Sequence, residues 1–358
     1  MADQRLARPA RPLEDSTVVL VAVAGLAIVL LLSMVAGVAL GQATVSLGDS
    51  LRYVGAALIG GTIPADDVTG YSIVWVVRTP RVLLAAVVGA GLSVVGVVVQ
   101  AMVRNALADP FILGVSSGAS VGASAVVGFG LFAALGIYAL SAAAFLGALA
   151  ASGLVYVAAR TRFGVSPLRL VLTGVALAYG FQAVMSVIVF FAPQGEAART
   201  VLFWLLGSLG AATWGSLPLA AGAVVLAIVV VLRRAGALDV MAHGDETSAT
   251  LGLDVAALRR FLFLLTAVVT GALVAVSGAV GFIGLVVPHL VRLVVGPSHG
   301  KVLVIAPWVG AIFLVWVDLV ARTLLPPREL PLGVITALVG VPVFVALMRR
   351  RGYLFGGR

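Results

Sequence analysis

The sequence predicts an all-α, polytopic membrane protein of about ten transmembrane helices, and three observations carry that expectation. Of 358 residues, 62% are apolar and only 10% are charged, against about 45–50% and about 25% in a soluble globular domain. Charge-free stretches recur that are long enough to cross a bilayer, for which about 20 apolar residues span a hydrocarbon core of roughly 30 Å. The 42 glycines suit helices whose backbones approach closely, because lipid gives apolar helices no hydrophobic reason to associate and small residues admit tight packing instead. Gly37 with Gly41, and Gly118 with Gly122, have the spacing of such contacts.

The elements follow in order from the charge-free stretches: 16–48, 82–103, 110–159, 170–195, 200–232, 261–291, 302–317 and 330–348. A tail, 1–16, carries Arg5, Arg8 and Arg11 ahead of a 24-residue apolar run, 17–40. A secretory signal core is about 7–15 residues, so this run reads as a retained first helix. Residues 110–159 are long enough for two crossings at about 1.5 Å per residue, with a turn expected within 128–136. The stretch 261–291 is too long for one span and too short for two, and its second half holds Gly278, Gly281, Gly284 and Pro288. One full helix followed by a short broken one is expected there, tolerated where the irregular backbone is buried or lines a cavity. The membrane domain is thus 17–349, interrupted by a polar loop at 238–258, with a tail at 350–358.

With the N-terminus cytoplasmic, ten crossings return the C-terminus to the same side. The 23 basic residues then divide seventeen inside against six outside, as the positive-inside rule requires. The six are Arg52, Arg78, Arg81, Arg199, Arg322 and Arg328, and each needs a reason to be there. A faint echo between Gly89-Ala90-Gly91-Leu92 and Gly271-Ala272-Leu273, on helices running in opposite directions, suggests two inverted five-helix halves.

Composition also excludes. The net charge of +9 is scattered between apolar stretches rather than gathered on a water-facing surface, so nucleic-acid binding is not expected. There is no cysteine, hence no disulfide, thiolate metal site or cysteine nucleophile. His243, His289 and His299 lie in separate segments without metal-ligand spacing, so no metal site is expected. No catalytic constellation stands out. A phosphate loop needs Gly-x-x-x-x-Gly-Lys followed by Ser or Thr, but around Lys301 the relevant positions are Val295 and Val302.

The polar loop has internal grammar. Asp245 can cap a short helix through its carboxylate, Gly252 can end it in the left-handed conformation, and Asp254 can cap the next. Two helices joined at 251–254 make a knob suited to a groove on another protein.

Four ordered blocks carry a family resemblance. The first runs Arg78-Thr79-Pro80-Arg81, Gly89-Ala90, Gln100, Arg104-Asn105-Ala106-Leu107-Ala108-Asp109-Pro110 and Leu113-Gly114-Val115-Ser116-Ser117-Gly118-Ala119; the second is Gly244-Asp245-Glu246-Thr247 with Leu251-Gly252. The third is Ser277-Gly278-Ala279, Gly281-Phe282-Ile283-Gly284-Leu285-Val286-Val287-Pro288-His289 and Arg292; the last is Asp318, Ala321-Arg322, Glu329-Leu330-Pro331 and Gly333-Val334-Ile335-Thr336. From Arg78 almost to the C-terminus the chain resembles the iron-chelate and cobalamin (FecCD-like) permeases of type II ABC importers. Ala106 departs from the proline usual there.

The resemblance implies a permease in the cell membrane, paired with a second copy or close paralogue around a central path. It further implies two cytoplasmic ATPase subunits, which bind the ATP and Mg, and an extracytoplasmic binding protein; this chain would hold no cofactor and catalyse nothing. It places ATPase coupling at Gly244, Asp245, Glu246, Thr247, Leu251 and Gly252, and binding-protein docking at Arg78, Arg81 and Arg322. Snorkelling anchors are the other reading of those arginines, and Asp318, one turn before Arg322, is a ready ion-pair partner. The path would run past Thr173, Tyr179, Gln182 and Ser186, with a cytoplasmic gate at Gly164, Val165, Ser166 and Pro167. The expected cargo is a ferric siderophore, with haem and cobalamin as alternatives. A proton-coupled transporter would use Asp318 and further intramembrane ionisable groups; a membrane scaffold would leave the knob unexplained.

Overall fold

The computed structural model describes residues 16–162, 164–192 and 195–349, and among these it is a helical bundle with no named strand. The tails 1–15 and 350–358 lie outside the described residues. The first helix, α1 (Ser16–Ala39), is followed by an amphipathic α2 (Leu47–Ile59) and a short α3 (Val68–Tyr71). A π-helical segment, Ser72–Arg78, then feeds α4 (Thr79–Val103). The Thr79 N–H and hydroxyl both reach the Val74 carbonyl, holding the wider turn that a π-helix requires.

The predicted turn within 128–136 is present: α5 (Val115–Phe129) ends on Gly130 at φ +68°, and α6 (Ala139–Ala159) returns. Next come α7 (Pro167–Phe191), α8 (Gly195–Leu205), α9 (Leu217–Leu232), α10 (Ala235–Ala242) and α11 (Asp245–Thr250). The stretch 200–232, read as a single span, is therefore divided between α8, a turn-rich connection and α9. The long helix α12 (Val255–Ser277) precedes the short, proline-containing α13 (Ile283–Val295), as expected, with Gly278 and Phe282 both at positive φ in the break. The chain closes with α14 (His299–Thr323) and α15 (Leu332–Arg349).

Among the described residues six helices are long and apolar enough to cross a membrane, or seven if α9 and α10, bent by 62°, act as one. Three shorter apolar helices, Val115–Phe129, Ile283–Val295 and Leu332–Leu347, remain; the expected ten crossings are reached only if all three also cross.

The bundle is built around α4, which packs against α14, α12, α13 and α9. Close backbone approach sets this up: a Cβ on Gly89 would lie 2.1 Å from the Gly310 carbonyl, and one on Gly122 would lie 2.1 Å from that of Ala143. Of the anticipated glycine pairs, Gly118 and Gly122 meet the backbone of α6, whereas Gly37 meets the Val82 side chain and Gly41, beyond the end of α1, meets the Arg78 guanidinium; Gly91 of the faint echo packs on Leu273 of the counterpart helix. Burial is unequal. In the most apolar stretch of Ala65–Val103, 78% of residues are buried, against 6% in α1 and in α7. A helix apolar all round but buried on so narrow a face must present the rest to lipid or to another chain.

Candidate functional site

Two clusters of arginines stand at the two ends of α4, whose 25 residues separate them by roughly 37 Å at 1.5 Å per residue. At its start, Arg78 donates through Nη1 to the carbonyls of Val38 (3.1 Å) and Ala39 (2.9 Å) and through Nη2 to that of Ala43. These include the last carbonyls of α1, which have no partner inside the helix and carry the negative end of its dipole. Arg322 donates to Gly37 of the same terminus. Arg81 is clamped, its Nε 2.8 Å from Asp318 Oδ1 and its Nη1 and Nη2 at 2.9 and 3.0 Å from Glu329. Asp318 also lies 3.4 Å from Arg322.

Arg78, Arg81 and Arg322 are 4, 6 and 4% exposed. Each guanidinium is engaged inside the chain, so a docking partner would have to compete with internal acceptors for the arginines expected to meet it. The expected Asp318–Arg322 pair forms, joined by Arg81, which the sequence places 237 residues from Asp318. The cluster's outward member is Glu329, its side chain 39% exposed. Arg52 pairs with Asp49 (3.2 Å) and Asp67 (2.6 Å), and Arg199 lies over the Phe203 ring. Internal contacts thus account for most of the six basic residues that the charge count set apart.

At the other end of α4 the knob forms as α10, α11 and the start of α12. Gly252 sits at φ +82°, and the Leu253 and Gly252 N–H groups close the end of α11 on Ser248 and Ala249. Asp254 accepts from the Ala257 N–H at 2.9 Å, capping α12 as expected. Asp245 does not cap. Gly244 precedes α11 without a side-chain cap, and the Asp245 carboxylate instead accepts from Arg259 Nη2 at 2.8 Å, with Arg104 at 3.8 Å. Burial pushes this carboxyl up, but the hydrogen bond and charge of Arg259, with the charge of Arg104, hold it below its ordinary value. Ser248 is fully buried and donates to the carbonyls of Val240 (2.8 Å) and Gly244 (2.6 Å), fastening α11 to α10. Glu246, Thr247 and Leu251 face outward.

The segment expected as a gate lies beside the knob. Thr161 and Gly164 exchange backbone hydrogen bonds of 2.9 and 3.1 Å, Gly164 takes φ +98°, and Ser166 caps α7 just before Pro167. Arg259 Nη1 donates to the Val165 carbonyl at 3.0 Å. Between gate segment and knob is a cavity of about 590 Å³ whose lining includes Arg162, Gly164, Ser166, Arg169, Asp245 and Arg259.

Of the expected path residues, Tyr179, Gln182 and Ser186 are exposed on α7, within roughly 60° of one another at 3.6 residues per turn. Thr173 is half-buried and lies about 120° around the helix from Tyr179. Only Leu170 and Gly174 of α7 are buried. No group of three or more His, Asp or Glu suited to a metal occurs among the described residues. His299 does have a carboxylate neighbour, Asp239, at 2.6 Å, which also accepts the His299 N–H at the start of α14.

A multi-pass helical bundle with a polar knob at one end and a polar stripe on an uncovered helix is the architecture of a membrane transport permease. The chain belongs to the FecCD transport family, whose pattern matches residues 26–350. It is 43% identical over 284 residues (79% of this chain, 75% of the relative) to the cobalamin import system permease protein BtuC of Halobacterium salinarum. It is 40% identical over 281 residues (78% and 84%) to the hemin transport system permease protein HmuU of Yersinia pestis. Identity is 39% over 280 residues (78% and 86%) to the Fe(3+) dicitrate transport system permease protein FecD of Escherichia coli. A solved metal-chelate type ABC transporter in an inward-facing conformation superposes with a TM-score of 0.79 at 30% identity, covering 91% of this chain and 98% of that one. The protein is accordingly a multi-pass inner-membrane permease subunit of an ATP-binding-cassette importer and not an enzyme. Permeases of this kind work with ATPase and binding-protein partners.

Proposed function

We propose that this permease imports a metal chelate, a ferric siderophore, delivered by an extracytoplasmic binding protein and driven by two ATPase subunits that hold the ATP and Mg. Two copies of the chain, or one with a close paralogue, enclose the path between them. The observation that carries this reading is α7: its uncovered face bears Tyr179, Gln182 and Ser186, polar groups that lipid disfavours and a hydrated path between two chains accommodates. Thr173, off that stripe, would meet the path only near its edge. The knob from Gly244 to Gly252 seats in the ATPase, and the segment from Gly164 to Pro167 gates the cytoplasmic mouth. Both termini and the knob face the cytoplasm, a reading supported by the division of basic residues.

Cobalamin is the second reading, favoured by the 43% identity to a cobalamin permease. Uptake of labelled ferric siderophore, haem and cobalamin into vesicles carrying the complete complex tests the cargo; cobalamin uptake without siderophore uptake reverses the ranking. Sidedness is tested in this cysteine-free chain with an impermeant thiol reagent on intact cells. The reporters are Thr250→Cys and Thr69→Cys, both exposed positions. Labelling at 69 and not at 250 is expected, and the reverse pattern inverts the topology.

A further inference from the structure

We infer that Arg259 is the mechanical link between the ATPase-coupling knob and the path helix α7, a positioning residue through which displacement of one becomes displacement of the other. The inference rests on the knob and gate assignments proposed above and goes beyond them by naming the side chain that joins the two.

The argument is geometric. Arg259 is 4% exposed, in the first turns of α12. One arm of its planar fork, Nη2, holds Asp245, the first residue of α11, at 2.8 Å; the other, Nη1, holds the Val165 carbonyl at 3.0 Å. Both anchor points are stiff. Asp245 belongs to a knob fastened internally by Ser248, by the closed end of α11 and by the Asp254 cap. Val165 lies between the Thr161–Gly164 turn and Ser166, the residue that caps α7. One residue, Ser166, separates the held carbonyl from the start of the helix that bears Tyr179, Gln182 and Ser186. A push on α11 therefore has a continuous stiff route: Asp245 carboxylate, Arg259 guanidinium, Val165 carbonyl, α7.

One further feature separates this from a static brace. The 590 Å³ cavity borders Arg259, Asp245 and the gate segment together, so the linked groups have room to shift as a unit. The Arg104 guanidinium, 3.8 Å from the same Asp245 oxygen that Arg259 holds, relates that carboxylate to the end of α4, the centre of the bundle.

Lysine at this position tests the link, since a single ammonium on a flexible stem keeps the charge but not two fixed, divergent hydrogen bonds. In the complete complex with ATPase and binding protein, an environment-sensitive thiol fluorophore at Ala249→Cys reports the knob, and one at Leu168→Cys reports the start of α7; both positions are exposed. On adding ATP, both probes respond in the otherwise unaltered chain. With Arg259→Lys the probe at 249 still responds, the probe at 168 falls silent, and cargo moved per ATP hydrolysed drops about tenfold, the scale of one lost charge-assisted hydrogen bond. A response at 168 equal to that of the unaltered chain, with transport preserved, overturns the link and leaves the knob and gate assignments standing. Silence of both probes in the unaltered chain overturns those assignments and the link together. Should Arg259→Lys fail to assemble, Asp245→Asn serves in its place, since it retains the acceptor while removing its charge. It should show the same uncoupling in weaker form, and full coupling in that variant again counts against the link.

Discussion

The two ends of α4 use the same chemistry to opposite effect. At its start, Arg78, Arg81 and Arg322 are closed in by carbonyls and carboxylates, and Asp318 between them is 1% exposed. At its end, Arg104 and Arg259 share Asp245, whose side chain is 41% exposed beside a sizeable cavity. Arginine against carboxylate in a dry, filled site fixes a joint, because any displacement strands a charge. At the other end the carboxylate is part exposed and the buried Arg259 borders a cavity, so the pair has room to be displaced together without being broken. One end of the bundle is thus fastened, and the other is built to move.

The largest expected effect comes from breaking the fastened end. Asp318→Ala leaves Arg81 and Arg322 facing each other without the carboxylate that neutralises them, and removing one member of a buried ionic cluster costs roughly 3–5 kcal/mol. Asp245→Ala removes the same charge from the open end, where the carboxylate is 41% exposed but Arg259 is 5% exposed and keeps the Val165 carbonyl, and should cost less, about 1–2 kcal/mol. Thermal unfolding of the two variants in identical detergent measures the contrast directly. Equal losses would mean that the burial difference has no energetic content.

Next in size is Gly252→Val. No atom lies within 4 Å of a Cβ placed there, so the cost is not steric contact but the φ of +82°, which an L-residue adopts at about 1–2 kcal/mol and a β-branched one at more. The strain falls on the knob alone. Insertion and thermal stability of the bundle should hold, while transport-coupled hydrolysis falls by about tenfold. An unchanged coupling ratio removes the knob from the ATPase contact.

Acid should reach the open end late. The Asp245 carboxyl is held below its ordinary 3.8 by Arg259 and Arg104 against the opposing effect of burial. A depressed carboxylate contributes stability that is complete above its unfolded-state value and is lost as pH falls through the lower folded-state value. Coupling measured from neutral pH down to the onset of acid damage should therefore show no step attributable to this pair. A step near neutrality would point to a different titrating group in the linkage.

What the sequence made legible follows the range of the physics involved. The break between α12 and α13 and the end of α11 are local events, written in Gly278, Pro288 and Gly252, and the backbone adopts them where expected. The division of 200–232 is also local, set by Gly207, Gly210 and Gly215 and the Ser208 and Ser216 turns, but a stretch without charge reads as one span unless those turn residues are weighed against it. Long-range pairing left no such trace. Nothing near Asp245 names Arg259, fourteen residues on, rather than a backbone cap as its partner, and nothing near Arg81 announces Asp318 or Glu329. The charge count asks for something to hold Arg78, Arg81 and Arg322; only packing shows that α1 and two carboxylates do.

The smallest effect concerns whether the fastened end also serves as a docking site. A partner's carboxylate can engage Arg81 only by taking the place of Glu329, which occupies both Nη groups at 2.9 and 3.0 Å yet keeps its side chain 39% exposed. Asp318 would retain Nε at 2.8 Å throughout, so the exchange leaves the buried pair intact. Glu329→Gln weakens the competitor without exposing the cluster, and a docking carboxylate should then associate faster, by no more than about fivefold, since pairs at this exposure are worth about 1 kcal/mol or less. The gain should shrink as salt rises, because the screening length is about 8 Å at physiological ionic strength. Stopped-flow association of the binding protein with correctly inserted permease, across a salt series, measures both. An association rate that Glu329→Gln leaves unchanged at every salt concentration would assign the whole arginine cluster to holding α1, α4, α14 and the start of α15 together, and would move docking to other residues of that face.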